Sequence, residues 1–247
     1  MRIPVLRGLI ERRLLVNYRV DPVVLSRQLP EPFRPKLVDG HGVAGICLIR
    51  LSAIRPRWVP AWCGISSENA AHRIAVVWTV DRVEHEGVYI LRRDSGSRLN
   101  TWLGGRLFPG VHGHASFAVD ERDDHIAVNV TAASGTRLVM VRGKVAGALP
   151  TTSVFRSLDE ASRYFAGGSA GYSPAHGPHR LDGMRLANET WRVEPLAVEE
   201  VASAWLEDAN IFPAGSATYD CTLLMRNIRH EWQALAPMAC GACAAAR

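Results

Sequence analysis

Strand-like runs separated by turn signals at short intervals constrain this fold more than any other feature of the sequence. Apolar alternation runs over Val111–Val119, Ile126–Ala132 and Arg137–Val145, and the separators are Asp120–Asp124 and Ser134-Gly135. Asp, Ser and Gly are the residues that tight turns favour. Closely spaced strands with few and brief helices are typical of an antiparallel barrel or of two curled sheets. The sequence therefore predicts a mainly β (α+β) fold, a single antiparallel β-barrel with a few short flanking helices.

Short helices are predicted where capping residues precede a change of pattern. Asp21-Pro22 begins one, because Asp caps a helix and Pro suits its first position. Ser157-Leu158-Asp159-Glu160 is a capping box that opens a second helix. Residues 94–103 and 198–208 are predicted as two more, the latter with Trp205 facing inward.

The chain is predicted to be one domain over residues 1–247, with about 238–247 as a tail. Barrels of this length often form a single unit. Gly167–Arg180 is the only plausible break, and it is too short to separate domains. No apolar run approaches the roughly 20 residues that span a bilayer, and the first residues lack the apolar core of a signal peptide. We therefore expect a cytoplasmic protein with no membrane partner.

The net charge of +5 comes almost entirely from arginine, since Lys36 and Lys144 are the only lysines. The arginines are interspersed with acidic residues, and no basic run or RNA-binding aromatic motif is present, so a nucleic-acid partner is not expected. The scarcity of lysine limits Schiff-base chemistry to two candidates.

The five cysteines are an odd, scattered set, and reduced thiols are the simplest interpretation. Cys240 and Cys243 have the spacing of a redox or metal pair. No second pair is available to complete the four ligands of a structural zinc. We predict no metal and no cofactor.

The span from Arg92 to His114 concentrates glycines, arginines and two histidines between two strand-like runs. Glycine lets a backbone approach a ligand closely, and arginine forks suit carboxylates and phosphates. Arg92 and Arg93 alternate on a strand, so one faces inward, where it needs a carboxylate partner or a bound anion. Arg93, Arg106 and Gly110 are the candidate substrate-binding residues.

Three residues are candidates for proton transfer. His112 and His114 lie two apart, on one face of a strand, and histidine titrates near neutral pH. The same spacing can bind a metal ion, but the sequence marks no third ligand. Alternatively, the two histidines line a cavity or face water and take no part in chemistry. Glu68 lies at the start of a predicted strand, where its carboxyl group could act as a general acid or base. Alternatively, it is a solvated residue or the ion-pair partner of an arginine. No Gly-x-Ser-x-Gly elbow and no phosphate loop are present.

These residues belong to a longer pattern that resembles the uncharacterised YqjF-like family, a branch of the acetoacetate decarboxylase-like superfamily. The pieces that carry the resemblance run nearly end to end and are Leu15 to Pro22, Ser67-Glu68-Asn69, Gly87 to Ile90, Arg92-Arg93-Asp94, Gly104 to Gly110, Gly171 to Pro174, Asp220-Cys221 and Leu224-Met225-Arg226.

The resemblance implies a cone-like antiparallel barrel with flanking helices and an internal pocket. It also implies that Glu68 is the pocket glutamate and Arg106 the pocket arginine. The decarboxylases of the superfamily use a lysine that follows a Phe-Pro element similar to Phe108-Pro109. Gly110-Val111 stands at that place here, and Lys144 lies on a different predicted strand. Decarboxylation through an imine is therefore not expected.

Two hypotheses follow. In the first, the protein is a lyase-type enzyme for a small oxo- or carboxylate-bearing compound, working by lyase, enolisation or hydration chemistry without a Schiff-base lysine. Glu68, His112 and His114 would move protons in it, and Arg93 or Arg106 would hold a carboxylate or enolate. In the second, the same barrel is a noncatalytic small-molecule binding protein. The resemblance also allows a homo-oligomer.

Overall fold

The computed structural model describes residues 5–103, 110–175 and 179–240. Its helices are α1 (Pro22–Ser26), α2 (Arg98–Leu103) and α3 (Leu158–Ala166), and one 3-10 turn spans Ala61–Cys63. The strands, in chain order, are β1 (Leu6–Val20), β2 (Arg34–Pro35), β3 (Leu37–Val38), β4 (His41–Pro56), β5 (Ile65–Val80), β6 (Val83–Ser95), β7 (His112–Arg122), β8 (His125–Ala132), β9 (Arg137–Val145), β10 (Ala170–Pro174), β11 (Arg180–Asn188), β12 (Glu194–Ser203) and β13 (Ala217–Ala239).

The strands form one large sheet that closes on itself in two hydrogen-bonded rings. A nine-strand ring runs β6-β7-β8-β9-β12-β13-β1-β4-β5 and closes through the pairing of β5 with β6. A seven-strand ring runs β6-β10-β11-β13-β1-β4-β5 and closes through the pairing of β11 with β13. The mainly β prediction is confirmed. The closure is more elaborate than one regular barrel, and β6 pairs in parallel with both β7 and β10.

Strands β1, β4, β5 and β13 form a wall that the two rings share. Successive side chains of a strand point to opposite faces, so each shared strand supplies both sides. Leu14 and Val16 belong to a core with members from every strand of the nine-strand ring. Leu15 and Leu223 belong to a second core on the other face, which also packs against Phe165 of α3.

Capping signals located two helices correctly. Asp21 caps α1 by accepting from the N–H groups of Val23 and Val24, with Pro22 at the first position. Ser157 caps α3 in the same way, accepting from the N–H of Glu160. The helix predicted within residues 94–103 is confined to α2.

The helix predicted over residues 198–208 is wrong. Residues 194–203 form β12, which pairs with β9 through contacts such as Val201 opposite Val141. Val198, Val201 and Trp205 have helical spacing, but the free edge of β9 offers backbone hydrogen bonds that override this local pattern. Trp205 lies in the turn after β12 and packs edge-on against Phe212.

The C-terminal part of the chain departs from two expectations. The predicted tail begins at about 238, yet Met238 is still paired with Leu181 in the sheet, and residues 241–247 lie outside the described residues. Cys47, Cys63 and Cys221 are free, as predicted, whereas Cys240 is disulfide-bonded. Within the described ranges, no helix has both the length and the apolar character needed to cross a membrane.

Replacing Ser157 with alanine is expected to lower the free energy of unfolding by about 1 kcal/mol, because α3 loses its N-cap. The hydroxyl oxygen accepts from the Glu160 N–H at 3.1 Å, and the Glu160 carboxylate in turn accepts from the Arg156 N–H at 2.8 Å. Urea unfolding measures the effect, with the exposed Ser134→Ala as the control. Equal stability of the two variants would contradict the capping assignment.

Candidate functional site

The seven-strand ring encloses a cavity with two adjoining compartments of about 80 and about 140 Å³. Ile49, Ala71, Arg93, His112 and Trp232 border both compartments. The smaller compartment extends along Leu51, Ile54, Ser67 and Asn69, and the larger extends along Arg13, Cys47, Arg73, Val88, Ile90, Met184 and Leu186. Since every strand of the ring contributes to this lining, the cavity is the interior of the ring.

Arg93 and His112 lie side by side on the parallel pair β6 and β7, where they occupy opposite register positions. Arg93 Nε donates to Ser173 Oγ at 3.2 Å. Gly110 lies beside both groups with a φ of +77°, and a Cβ there would come within 2.7 Å of Ser173 Cβ. Glycine is therefore required at position 110 for both its backbone angle and its space. The predicted residues Arg93, Gly110 and His112 are brought together.

Two further arginines reach the larger compartment from the shared wall. Arg13 is on β1, and its Nε donates to Cys47 Sγ at 3.2 Å. Arg73 is on β5 and almost fully buried, at 3% exposure. Its Nη2 donates to Asn17 Oδ1 at 2.6 Å and its guanidinium lies over the Phe165 ring, while its buried Nε has no hydrogen-bond partner among the described residues.

None of Arg13, Arg73 and Arg93 forms an ion pair with a carboxylate of the described residues. Asp94 borders the smaller compartment, but its carboxylate binds Arg92 through both oxygens, at 2.7 and 2.9 Å. Burial lowers the pKa of Arg73 and of Arg93 to about 10, so both stay charged at neutral pH. Buried charges are ordinarily paired. Three guanidinium groups of the described residues around one cavity are therefore an arrangement that can bind an anion.

His112 is neutral at physiological pH. Burial, reinforced by the positive charge of Arg93, lowers its pKa to about 4. Its Nδ1 lies 3.0 Å from the Gly110 carbonyl oxygen, which accepts a hydrogen bond from the ring N–H. A neutral imidazole beside a cationic cluster can accept a proton from a bound compound.

We expect His112 to make the protein sensitive to acid. Its pKa in the folded state, about 4, is below the ordinary value of 6.5. Between these values the unfolded chain binds a proton that the folded chain does not, so stability falls as pH decreases from about 6.5 to 4. For a half-buried group the loss is on the order of 1–3 kcal/mol. Urea unfolding of the wild type and His112→Gln at pH 7.5 and 4.5 measures it, and the variant should lose less stability than the wild type.

Glu68 does not share this cavity, contrary to expectation. It is on β5 between Ser67 and Asn69, which do border the cavity, and strand alternation directs it to the other face. There its carboxylate binds Arg12 Nη2 at 2.7 Å and Arg50 Nε at 2.6 Å. The structure assigns Glu68 to an ion-pair cluster, and the interpretation of Glu68 as an arginine partner accounts for these contacts.

Glu68 belongs to a five-residue ionic cluster within the nine-strand ring. Glu121 of β7 binds Arg12 at 3.2 Å and Arg50 at 3.4 Å, and Arg226 approaches Glu121 to 3.7 Å. Arg12 is the buried centre of the cluster, at 1% exposure. The cluster therefore links five strands of this ring, β1, β4, β5, β7 and β13.

The two remaining predicted site residues, His114 and Arg106, are not among the residues that border the cavity in the described part of the chain. His114 is opposite Ser95, and its Nδ1–H donates to the Ser95 carbonyl oxygen at 3.2 Å. It is about 7 Å further along β7 than His112, and it does not border either compartment described. Arg106 lies outside the described residues.

The two lysines, the candidates for Schiff-base chemistry, lie away from the cavity. Lys36 Nζ binds the Glu86 carboxylate at 2.6 Å, and Lys144 is an exposed residue of β9. Neither borders the cavity. Among the described residues, no group of three His, Cys, Asp or Glu side chains is arranged to hold a metal ion.

Sequence reasoning missed Arg13, Arg73 and Cys47 as cavity residues. The signal was present in part, because Arg13 and Arg73 each directly precede an apolar strand run, Leu14-Leu15-Val16 and Ile74-Ala75-Val76. An arginine within a buried strand requires a counter-charge or a ligand. Cys47 carried no such signal, because free cysteine is a common core residue.

Comparison with known proteins gives a family match over most of the chain. The model of DUF2071, described as an uncharacterized conserved protein (COG2071), matches residues 10–227. A search of curated proteins found no match.

Solved structures of acetoacetate decarboxylase-like proteins share the fold. Acetoacetate decarboxylase from Legionella pneumophila subsp. pneumophila str. Philadelphia 1 is 9% identical, with a TM-score of 0.62 over 97% of this chain and 87% of that one. The enduracididine biosynthesis enzyme MppR complexed with pyruvate is 9% identical, with a TM-score of 0.64 over 97% and 91%. An acetoacetate decarboxylase-like enzyme from Sphingomonas wittichii RW1 is 13% identical, with a TM-score of 0.60 over 99% and 94%.

Proposed function

Because the chain belongs to the DUF2071 family and has the acetoacetate decarboxylase-like fold, we propose that it binds a small 2-oxo carboxylate inside the seven-strand ring. One observation carries the proposal: Arg13, Arg73 and Arg93 border a cavity without a carboxylate partner among the described residues. We infer further that this ring corresponds to the cone-like barrel expected from the family resemblance.

The cavity's size favours a compound of few atoms. A buried water needs roughly 10–15 Å³ of such space, and the larger compartment has about 140 Å³. Typical drug-sized sites are several times larger, at roughly 300–1,000 Å³. A three- to five-carbon acid is therefore the class of ligand that this space suits.

The polar groups favour a carboxylate next to a carbonyl. Arginine forks bind a carboxylate through two parallel hydrogen bonds, and a second guanidinium remains to polarise an adjacent oxygen. The solved complex of MppR with pyruvate shows that a protein of this fold can hold such an acid. Pyruvate is therefore the probe with which to test the proposal.

The arrangement of the residues supports ligand binding more strongly than it supports catalysis. The proton-transfer set expected from the sequence is not assembled, since Glu68 lies on the other face of β5. Of the three predicted proton carriers, His112 is the one beside the arginines of the described residues. In an enzyme of this design, His112 would take a proton from carbon 3 of the oxo acid, and the arginines would stabilise the resulting enolate.

Isothermal titration with pyruvate tests the binding proposal, with acetone as the neutral comparison. We expect pyruvate to bind and acetone not to bind, because only pyruvate offers the carboxylate. Proton NMR in D₂O then tests the enolisation proposal through exchange at carbon 3. Exchange that His112→Gln abolishes would favour the enzyme, and binding without exchange would favour the noncatalytic binder. Equal response to pyruvate and acetone would contradict the anion site.

A further inference from the structure

Cys47 is a free thiol at the centre of the arginine group. It borders the larger compartment of the cavity, and its Sγ lies 3.2 Å from Arg13 Nε. It also interacts electrostatically with Arg73 and Arg93. Its position on β4, opposite Leu15 of β1 and Ala71 of β5, places it in the middle of the shared wall.

The surroundings of Cys47 differ from those of the other free thiols. Cys221 is buried beside Asp220, and burial together with that carboxylate raises the pKa of its thiol. Cys63 is exposed in the 3-10 turn. Thiolates are stabilised by nearby cations and are destabilised by apolar burial or neighbouring carboxylates. Of the three, Cys47 alone combines guanidinium neighbours with access to a cavity.

An independent observation indicates that a ligand belongs beside this thiol. Arg73 is 3% exposed and borders the same compartment, and its Nε has no hydrogen-bond partner in the part of the chain that the structure describes. A buried donor without a partner costs free energy that a bound acceptor would recover. The carboxylate of a ligand in the compartment would supply that acceptor and would stand close to Cys47.

We propose that Cys47 is a covalent nucleophile of the cavity and adds to the carbonyl of a bound 2-oxo acid. The sulfur forms a bond to carbon 2, the C=O π electrons move to the oxygen, and the thiol proton ends on that oxygen as a hydroxyl. The product is a reversible thiohemiketal, and no oxidant or co-reactant is required. Arg13 stabilises the attacking thiolate, and Arg73 and Arg93 hold the carboxylate. This inference rests on the proposed function and identifies the bond that the site can form.

Competition between two alkylating reagents tests the reactivity of Cys47 without reference to pyruvate. Iodoacetate and iodoacetamide both transfer a carbon to sulfur and release iodide, but only iodoacetate carries a carboxylate. A cationic cleft raises the local concentration of an anion by roughly tenfold or more. We expect peptide mass spectrometry to find Cys47 modified at least about tenfold faster by iodoacetate than by iodoacetamide, and Cys63 to show no such preference.

Variants connect this preference to the arginines. Arg13→Met should remove most of the preference for iodoacetate at Cys47, whereas the exposed Arg122→Met should leave it unchanged. Cys63→Ser should leave the modification of Cys47 unchanged. Failure of both reagents to modify Cys47 in the native protein, or equal rates with both, would overturn the proposal.

Carbon-13 NMR with [2-¹³C]pyruvate tests the covalent step itself. We expect the carbon 2 resonance to move in part from the ketone region to the region of tetrahedral carbon in the wild type and in Cys63→Ser. Cys47→Ala should lose this signal yet still bind pyruvate in titration. Binding by the wild type without a tetrahedral signal would overturn the role of Cys47 and leave the proposed function intact. The absence of any pyruvate binding would instead refute the proposed function and the thiohemiketal together.

Discussion

Arg93→Met is expected to weaken pyruvate binding by at least roughly 30-fold, which corresponds to a loss of about 2 kcal/mol or more. Arg93 is the arginine that borders both compartments, and it is held in place by its hydrogen bond to Ser173. Methionine keeps much of the length and the apolar stem but removes the charge and the fork of donors. Isothermal titration measures the change in affinity.

We expect Arg93→Met to leave the stability of the ligand-free protein unchanged or to raise it, although it weakens binding. A guanidinium without a carboxylate partner costs free energy when it is buried, so the ligand-free Arg93→Met protein should unfold at the same temperature as the wild type or higher. If Arg93 instead stabilised the fold, its replacement would lower the unfolding temperature. Thermal unfolding without ligand therefore separates a binding role from a structural one.

The control for Arg93 is Arg122→Met, which removes the same charge from a side chain that is 81% exposed. This variant should keep the affinity of the wild type, because solvent screens its contribution to the cavity. Wild-type affinity in Arg93→Met, or an equal loss in both variants, would contradict the placement of the carboxylate.

Arg12→Met is expected to lower the free energy of unfolding by about 3–5 kcal/mol, because it removes one partner of a buried ion-pair cluster. Arg12 binds both Glu68 and Glu121, at 2.7 and 3.2 Å. Without it, two carboxylates remain close together with Arg50 and the more distant Arg226 as their cations. Urea unfolding measures the loss. A variant that fails to fold would show that the loss exceeds the stability of the wild type.

Arg226→Met is the matched control within this cluster. Arg226 is 31% exposed and lies 3.7 Å from Glu121, so its removal should cost less than about 1 kcal/mol. Glu68→Gln completes the comparison, since it should lower stability without changing the affinity of the folded protein for pyruvate. A Glu68→Gln protein of normal stability that has lost binding would return Glu68 to the functional site.

The sequence predicted those parts of the fold that depend on local signals. The strands β7, β8 and β9 were found because turn residues separate them, and α1 and α3 because Asp21 and Ser157 cap them. The closure of the rings could not be found in this way. It depends on pairings between distant strands, such as β11 with β13 and β6 with β10, which no local pattern encodes.

The candidate site was predicted in part for the same reason. Arg93 and His112 lie on the adjacent strands β6 and β7, and Gly110 lies just before β7, so one unusual segment of the sequence indicated all three. Arg13 and Arg73 join them only because the seven-strand ring brings β1 and β5 around the same space. Glu68 was misplaced by one register step, since Ser67 and Asn69 on either side of it do border the cavity.

The shared wall gives this molecule two independent sets of positions on the same strands. Arg12 anchors the ionic cluster of one enclosure, and its neighbour Arg13 borders the cavity of the other. Substitutions at alternate residues of β1, β4 and β5 can thus reshape the cavity while the intervening residues preserve the packed interior. A fold of this kind separates the evolution of the cavity from the maintenance of stability.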